Sequence, residues 1–153
     1  MDMPSIGSDI EPIEQTMIRR VFNFDETSAG DIMIPIADVV GIDAGATCRE
    51  VTRRASQTSH KRLPVYREST DNIVGTVNAL DLLLESGGQS IERFVRPPIC
   101  VRRSHGIGDL LTTFRGRGSG AMAVVVDESG RAEGIVTLED IVEEVVRRDR
   151  GRI

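Results

Sequence analysis

Thr137 and Asp140 put a hydroxyl and a carboxylate three residues apart, just after the strand-like stretch Gly134-Ile135-Val136. If a helix starts there, its first free N–H groups and positive end face outward and favour an anion. The carboxylate can accept two hydroxyl hydrogens, so the pair could grip a vicinal diol such as a ribose, with the threonine orienting sugar or phosphate. The same spacing is also an ordinary helix capping box, Thr137 capping and Asp140 reaching back. A second cluster, His60-Lys61-Arg62, leads into the apolar Leu63-Pro64-Val65. Arg62 is the candidate phosphate ligand, because a guanidinium suits phosphate geometry. The plainer alternative is a solvated turn, and for His60 alone the turn is the better account.

The first motif occurs twice. Gly75-Thr76-Val77-Asn78-Ala79-Leu80-Asp81 returns 59 residues later as Gly134-Ile135-Val136-Thr137-Leu138-Glu139-Asp140. Upstream apolar positions align at the same offset, Leu63 and Val65 with Met122 and Val124, and Val51 with Leu110. A duplicated unit dictates the architecture and places ligand sites on or between the copies. The glycine common to both copies lets another group approach the strand backbone. The copies are chemically unequal: the counterpart of His60-Lys61-Arg62 is Ser119-Gly120-Ala121, which is uncharged. Under pseudo-two-fold symmetry the cations of repeat one approach the Thr/Asp pair of repeat two. That makes one complete nucleotide site, with Thr137 and Asp140 on ribose and Arg62 on phosphates. The converse site has Asn78 and Asp81 without opposing cations and is expected to be weaker or empty.

No catalytic constellation is visible in the sequence: no GxSxG, HExxH, P-loop or paired Cys/His. The reading is no enzyme and no metal site. Cys48 and Cys100 lack CxxC spacing and read as small core hydrophobes. The chain has 153 residues, 39% hydrophobic and 28% charged, with net charge −5, no Trp and one Tyr. That is enough to bury a core. An acidic, aromatic-poor composition argues against a nucleic-acid groove. No apolar run approaches the ~18 residues of a membrane span, and no signal peptide opens the chain. A cytoplasmic, soluble chain without direct membrane insertion is expected.

These residues need elements to position them. Apolar spacing from Ile13 to Phe22 predicts an amphipathic helix over about 10–22. Asp31 to Pro35 opens the first repeat, and Val39, Val40 and Ile42 read as a strand. Thr47-Cys48-Arg49-Glu50 is a capping box for a helix over 47–58. Leu63–Tyr66 and Ile73–Val77 read as strands, with turn chemistry over Ser69–Asn72 and a second helix through Leu80, Leu82 and Leu83 that Gly87-Gly88 stops. Repeat two follows the same order. Ile99–Val101, Ala121–Val126 and Ala132–Val136 read as strands, and Ile107 to Phe114 and Ile141 to Val146 as helices. Glu139, Glu143 and Glu144 read as a solvated acidic face. Each unit is β-α-β-β-α, an α/β (α+β) fold whose three-stranded sheets pack back to back, because neither ~60-residue half has much core alone.

Asp71-Asn72-Ile73-Val74-Gly75, Val125-Val126-Asp127-Glu128 and, above all, Gly134 through Glu144 resemble the CorC/hemolysin-related magnesium and cobalt efflux family. Residues 31–148 as a whole resemble a tandem CBS-domain pair, a Bateman module. The resemblance implies a linker and helix over 1–30, CBS repeat 1 over 31–88 and CBS repeat 2 over 89–150, packed sheet to sheet with pseudo-two-fold symmetry. It implies a regulatory module that binds an adenosine nucleotide, ATP or AMP, with Mg2+ held by the phosphates in some members. Thr137 and Asp140 map onto the family's ribose ligands and Arg62, with His60 and Lys61 beside it, onto its phosphate ligand. The adenine is implied to lie against Ile99, Val101 and Met122. A homodimer through the CBS pairs is implied, with an attached or partner membrane transport domain at the cytosolic face of the plasma membrane. The chain departs from the family pattern at Met33-Ile34-Pro35-Ile36, where Met-Thr-Pro-Arg is common, and at Ala121, where His is common. Those losses bear on the affinity and on the number of phosphates held; the alternative is a structural dimerisation module with decayed nucleotide sites.

Overall fold

The computed structural model describes residues 27–58, 60–85, 88–117 and 121–151. The helix expected over 10–22, Ser59 and part of the 115–120 loop lie outside them. Repeat one comprises β2 (Ile42–Asp43), α2 (Cys48–Ser56), β3 (Arg62–Arg67), β4 (Ser69–Asn78) and a 3-10 turn (Ala79–Leu82). Repeat two comprises β5 (Ile99–Val101), α3 (Ile107–Phe114), β6 (Met122–Val126), β7 (Ala132–Thr137) and α4 (Leu138–Gly151). A short helix α1 (Ala29–Ile32), a two-residue strand β1 (Ile34–Pro35) and a 3-10 turn (Ile36–Asp38) precede them. The result is an α+β fold with two mixed sheets, ordered β2-β3-β4 and β1-β7-β6-β5.

Local chemistry explains most element ends. Thr47 caps α2 by accepting the Glu50 N–H at 3.3 Å, as the sequence predicts. Alternation of apolar residues splits each central strand between two faces. Ala123, Val125 and Val136 turn toward α3 and α4 and pack with Ile107, Leu110, Phe114, Ile141 and Val145. Leu63, Val65 and Val77 turn toward α2 and pack with Val51, Leu82 and Ile91. The opposite faces meet: Met122, Val124, Ala132 and Ile135 pack with Ile36, Val39 and Ile73. This central cluster joins the two sheets.

The chain crosses between repeats at both ends. β1, at the opening of repeat one, pairs with β7 of repeat two, Ile34 opposite Ile135 and Pro35 opposite Gly134. Reciprocally, Arg96, near the opening of repeat two, bridges Thr76 of β4. These crossings account for the repeated glycines. A Cβ on Gly134 would lie 2.6 Å from the Ile34 carbonyl oxygen, and one on Gly75 would lie 2.6 Å from that of Arg96. The group that approaches each strand is the chain itself.

Several expectations need correction. The strand read through Val39, Val40 and Ile42 is only Ile42–Asp43, and the sheet of repeat two has four strands because β1 joins it. The helix through Leu80, Leu82 and Leu83 is a single 3-10 turn, and only Leu82 is buried. The tip of the first hairpin is Glu68, with φ 73°, and the expected turn residues 69–72 belong to β4. Cys48 is buried, but Cys100 is exposed on β5 and is not a core residue. Glu144 is not on a solvated face: it is buried within α4 and paired with Arg147.

Candidate functional site between the repeats

Thr137 ends β7 and precedes α4, so its environment is set by both. Its N–H donates to Asp140 Oδ2 at 3.0 Å, and the Asp140 N–H donates to Thr137 Oγ1 at 3.1 Å. This closed capping box satisfies two of the free donors at the start of α4. The structural reading of the motif is therefore realised. It leaves Thr137 its hydroxyl hydrogen and Asp140 its second carboxylate oxygen for another partner. Thr137 is 5% exposed, and Asp140 is half-buried behind it.

A cleft opens where β3 of repeat one faces β6 and β7 of repeat two. Ile34, Val39, Val40, Leu63, Pro64, Met122 and Ile135 give it apolar walls, and Asp38, His60, Arg62 and Thr137 are its polar groups. Four residues singled out from the sequence, His60, Arg62, Met122 and Thr137, thus line one cleft from opposite repeats. The arrangement follows from pairing. Arg62 starts β3, opposite Asn78, and Met122 starts β6, opposite Thr137, so each repeat offers the same end of its hairpin. A cation, a hydroxyl and apolar walls suit a ligand with an anionic end and a flat apolar end. The enclosed volume is about 70 Å³, below the ~300 Å³ of typical small-molecule sites. A nucleotide would therefore extend past the rim or move side chains there, where His60 is exposed and Arg62 half-buried.

Other candidates fall elsewhere. Lys61 is exposed, and its carbonyl accepts the Ala79 N–H at 2.7 Å. Ile99 and Val101 pair with Ala123 and Val125, so they share the face packed around Phe114. Met122 lies on the other face of the sheet. An adenine cannot lie against all three in this conformation. Asn78 accepts the Leu80 N–H at 3.0 Å as the cap of the 3-10 turn, and Asp81 is exposed. Sequence reasoning missed Asp38, Val39 and Pro64. The crossing segment carries the first two into the cleft, and a two-residue β1 leaves no periodicity that would reveal it.

Comparison with known proteins identifies the repeats and the fold. The CBS domain matches twice, over residues 29–88 and 91–147. The chain is 36% identical over 134 residues to the magnesium and cobalt efflux protein CorC of Vibrio cholerae, covering 85% of this chain and 46% of that one. It is 31% identical over 140 residues to hemolysin C of Brachyspira hyodysenteriae, covering 91% and 52%. It therefore spans about half the length, or less, of such relatives. The solved CBS domain of a bacterial CNNM/CorC family Mg2+ transporter in complex with ATP is 37% identical, with TM-score 0.74, and the match covers 88% of this chain and 98% of that one. Two CBS matches in tandem, on a fold shared along nearly the whole of that domain, settle the affiliation: the chain belongs to the CBS-domain family, as a CBS pair of the CorC/hemolysin-related group.

Proposed function

We propose that the chain is a regulatory module that senses an adenosine nucleotide, ATP or AMP, on behalf of a CorC-like transport-related membrane protein, and that it catalyses no reaction. The observation that carries this reading is the convergence of His60 and Arg62 from repeat one with Thr137 and Met122 from repeat two on one cleft. In this reading Thr137 and Asp140 hold the ribose through the atoms their capping box leaves available, and Arg62 and His60 hold the phosphates, with Mg2+ on the phosphates where a triphosphate binds. Lys61 adds positive charge near the mouth. Asn78 and Asp81 form a weaker second site or none. The ATP held by the related transporter domain supports the ligand class.

The transport domain would lie elsewhere in the parent protein, since among the described residues no helix is long and apolar enough to cross a membrane. The module would then sit at the cytosolic face. A homodimer is part of the proposal. Leu80, Leu83 and Leu84 are 52, 65 and 96% exposed, apolar side chains at one turn that a second copy would cover. Light scattering on the wild type and on Leu83→Glu tests it, a monomeric wild type being the adverse result.

A ligand that binds the folded state alone stabilises it by ~2.7 kcal/mol at a hundred times its dissociation constant. Thermal unfolding with ATP, ADP and AMP, with and without magnesium, should show an upward shift for at least one of them. Asp140→Asn keeps an acceptor for the Thr137 N–H but loses the carboxylate, so it should unfold normally and lose the shift. No shift at millimolar nucleotide would sink the reading. The second reading, a structural dimerisation module whose sites have decayed, is favoured by the small cleft volume and by the closed Thr137–Asp140 box. It expects a dimer indifferent to every nucleotide.

A further inference from the structure

One ionisable group in the cleft is unused by the nucleotide reading. Asp38 is exposed at the rim and shares the lining with His60, Arg62 and Thr137. Its position is fixed from both sides. Pro35 pairs with Gly134 on β7, the Val39 N–H closes the turn onto the Ile36 carbonyl at 3.2 Å, and Ile36 and Val39 both pack in the central cluster. Among the described residues the Asp38 carboxylate makes no hydrogen bond or ion pair. It is thus a carboxylate without a hydrogen-bond or ion-pair partner, held in the same lining as the groups that would receive phosphate. Like charges within one cleft disfavour binding, and the penalty grows with the charge brought in. Adenosine brings none, a monophosphate about two negative charges, and a triphosphate more.

We propose that Asp38 sets the charge selectivity of the cleft, favouring adenosine nucleotides with few phosphates over the metal-free triphosphate. The proposal rests on the nucleotide reading of the same cleft and adds a discriminating residue to it. Calorimetric titration at low salt, with a metal chelator present, would compare adenosine, AMP and ATP on the wild type and on Asp38→Asn. The substitution should strengthen ATP binding about tenfold and AMP binding less, and leave adenosine unchanged. Raising the salt should shrink the effect, because the group is exposed. Asp38 has no partner to lose, so the ligand-free melting temperature should not move. Equal changes for all three ligands, or none while binding persists, would overturn the role of Asp38 and leave the nucleotide reading standing. Absence of binding by any of the three to either protein would overturn both.

Discussion

Segments Gly75–Asp81 and Gly134–Asp140 are copies in sequence, yet they end their repeats differently. In repeat two the Thr137–Asp140 box closes and a helix of 14 residues follows, seating Ile141 and Val145 against Phe114. In repeat one Asn78 reaches only the Leu80 N–H, two residues on, which selects a tight 3-10 turn. Asp81 stays exposed, and Leu83 and Leu84 face solvent. A motif that looks like a ligand site is therefore first a helix cap, and only the copy that caps a helix also presents its hydroxyl to the cleft. What the repeats share is the glycine at which the chain crosses from the other half.

The shared feature gives the largest expected effect. A side chain at Gly134 collides with the backbone at Ile34, and one at Gly75 with the backbone at Arg96. Backbone yields less readily than a flexible side chain, and overpacking of this kind costs ~1–3 kcal/mol or more. Gly134→Val and Gly75→Val should both lower the unfolding free energy read from urea titration, each by an amount in the upper part of that range. If Gly75→Val proves neutral, the Arg96 crossing does not hold repeat one as β1 holds repeat two.

The hairpin tips separate the repeats next. Repeat two turns at Gly130, with φ 87°, where glycine is at ease. Repeat one turns at Glu68, with φ 73°, where an L side chain costs ~1–2 kcal/mol. Glu68→Gly should therefore raise stability by ~1 kcal/mol, and Gly130→Ala should lower it by about as much. Denaturant titration reads both, and a destabilised Glu68→Gly would show that this side chain makes compensating contacts.

How much of this was legible follows from the same residues. The frame of repeat two was, because Ile107, Leu110 and Phe114 keep helical spacing and the strands alternate. The cap at Thr47 was legible because its box is written in four adjacent residues. The missing helix of repeat one was not: Leu80, Leu82 and Leu83 look helical, but the outcome turns on whether Asn78 can do what Thr137 does. The resemblance grouped Ile99 and Val101 with Met122, but a family likeness does not say which face of a strand meets the cleft. Pairing with Ala123 and Val125 decides it. Arg62 and Thr137 were brought to one cleft because repeat symmetry, unlike strand parity, can be read from the offset.

The caps give a contrast of ~1 kcal/mol. Asp140→Ala removes the acceptor of the Thr137 N–H and should destabilise by about that amount even without ligand. Asp81→Ala opens no box and should leave the unfolding free energy read from urea titration within ~0.5 kcal/mol of the wild type. Equal losses would mean that the repeat-one turn is capped as firmly as α4, and the comparison would fail.

The smallest effect lies where the repeats touch outside their central cluster. Arg131, in the turn before β7, donates to Asp71 Oδ1 at 2.9 Å, and Ser69 Oγ donates to the same oxygen at 2.6 Å. The Ser69 hydroxyl first, and the Arg131 guanidinium after it, hold the Asp71 carboxyl below its ordinary value of 3.8. A carboxylate with a depressed folded-state pKa adds stability that is present above the unfolded value and is lost as the pH falls through the folded one. The pair is well exposed, so solvent screens most of its attraction. Asp71→Asn should therefore melt slightly below the wild type near neutral pH, and the two curves should converge below about pH 4. High salt should also shrink the gap. A large gap that persists in acid would mean that this contact holds the repeats together by packing rather than charge, and that the crossings at Gly75 and Gly134 carry less of the union than their geometry implies.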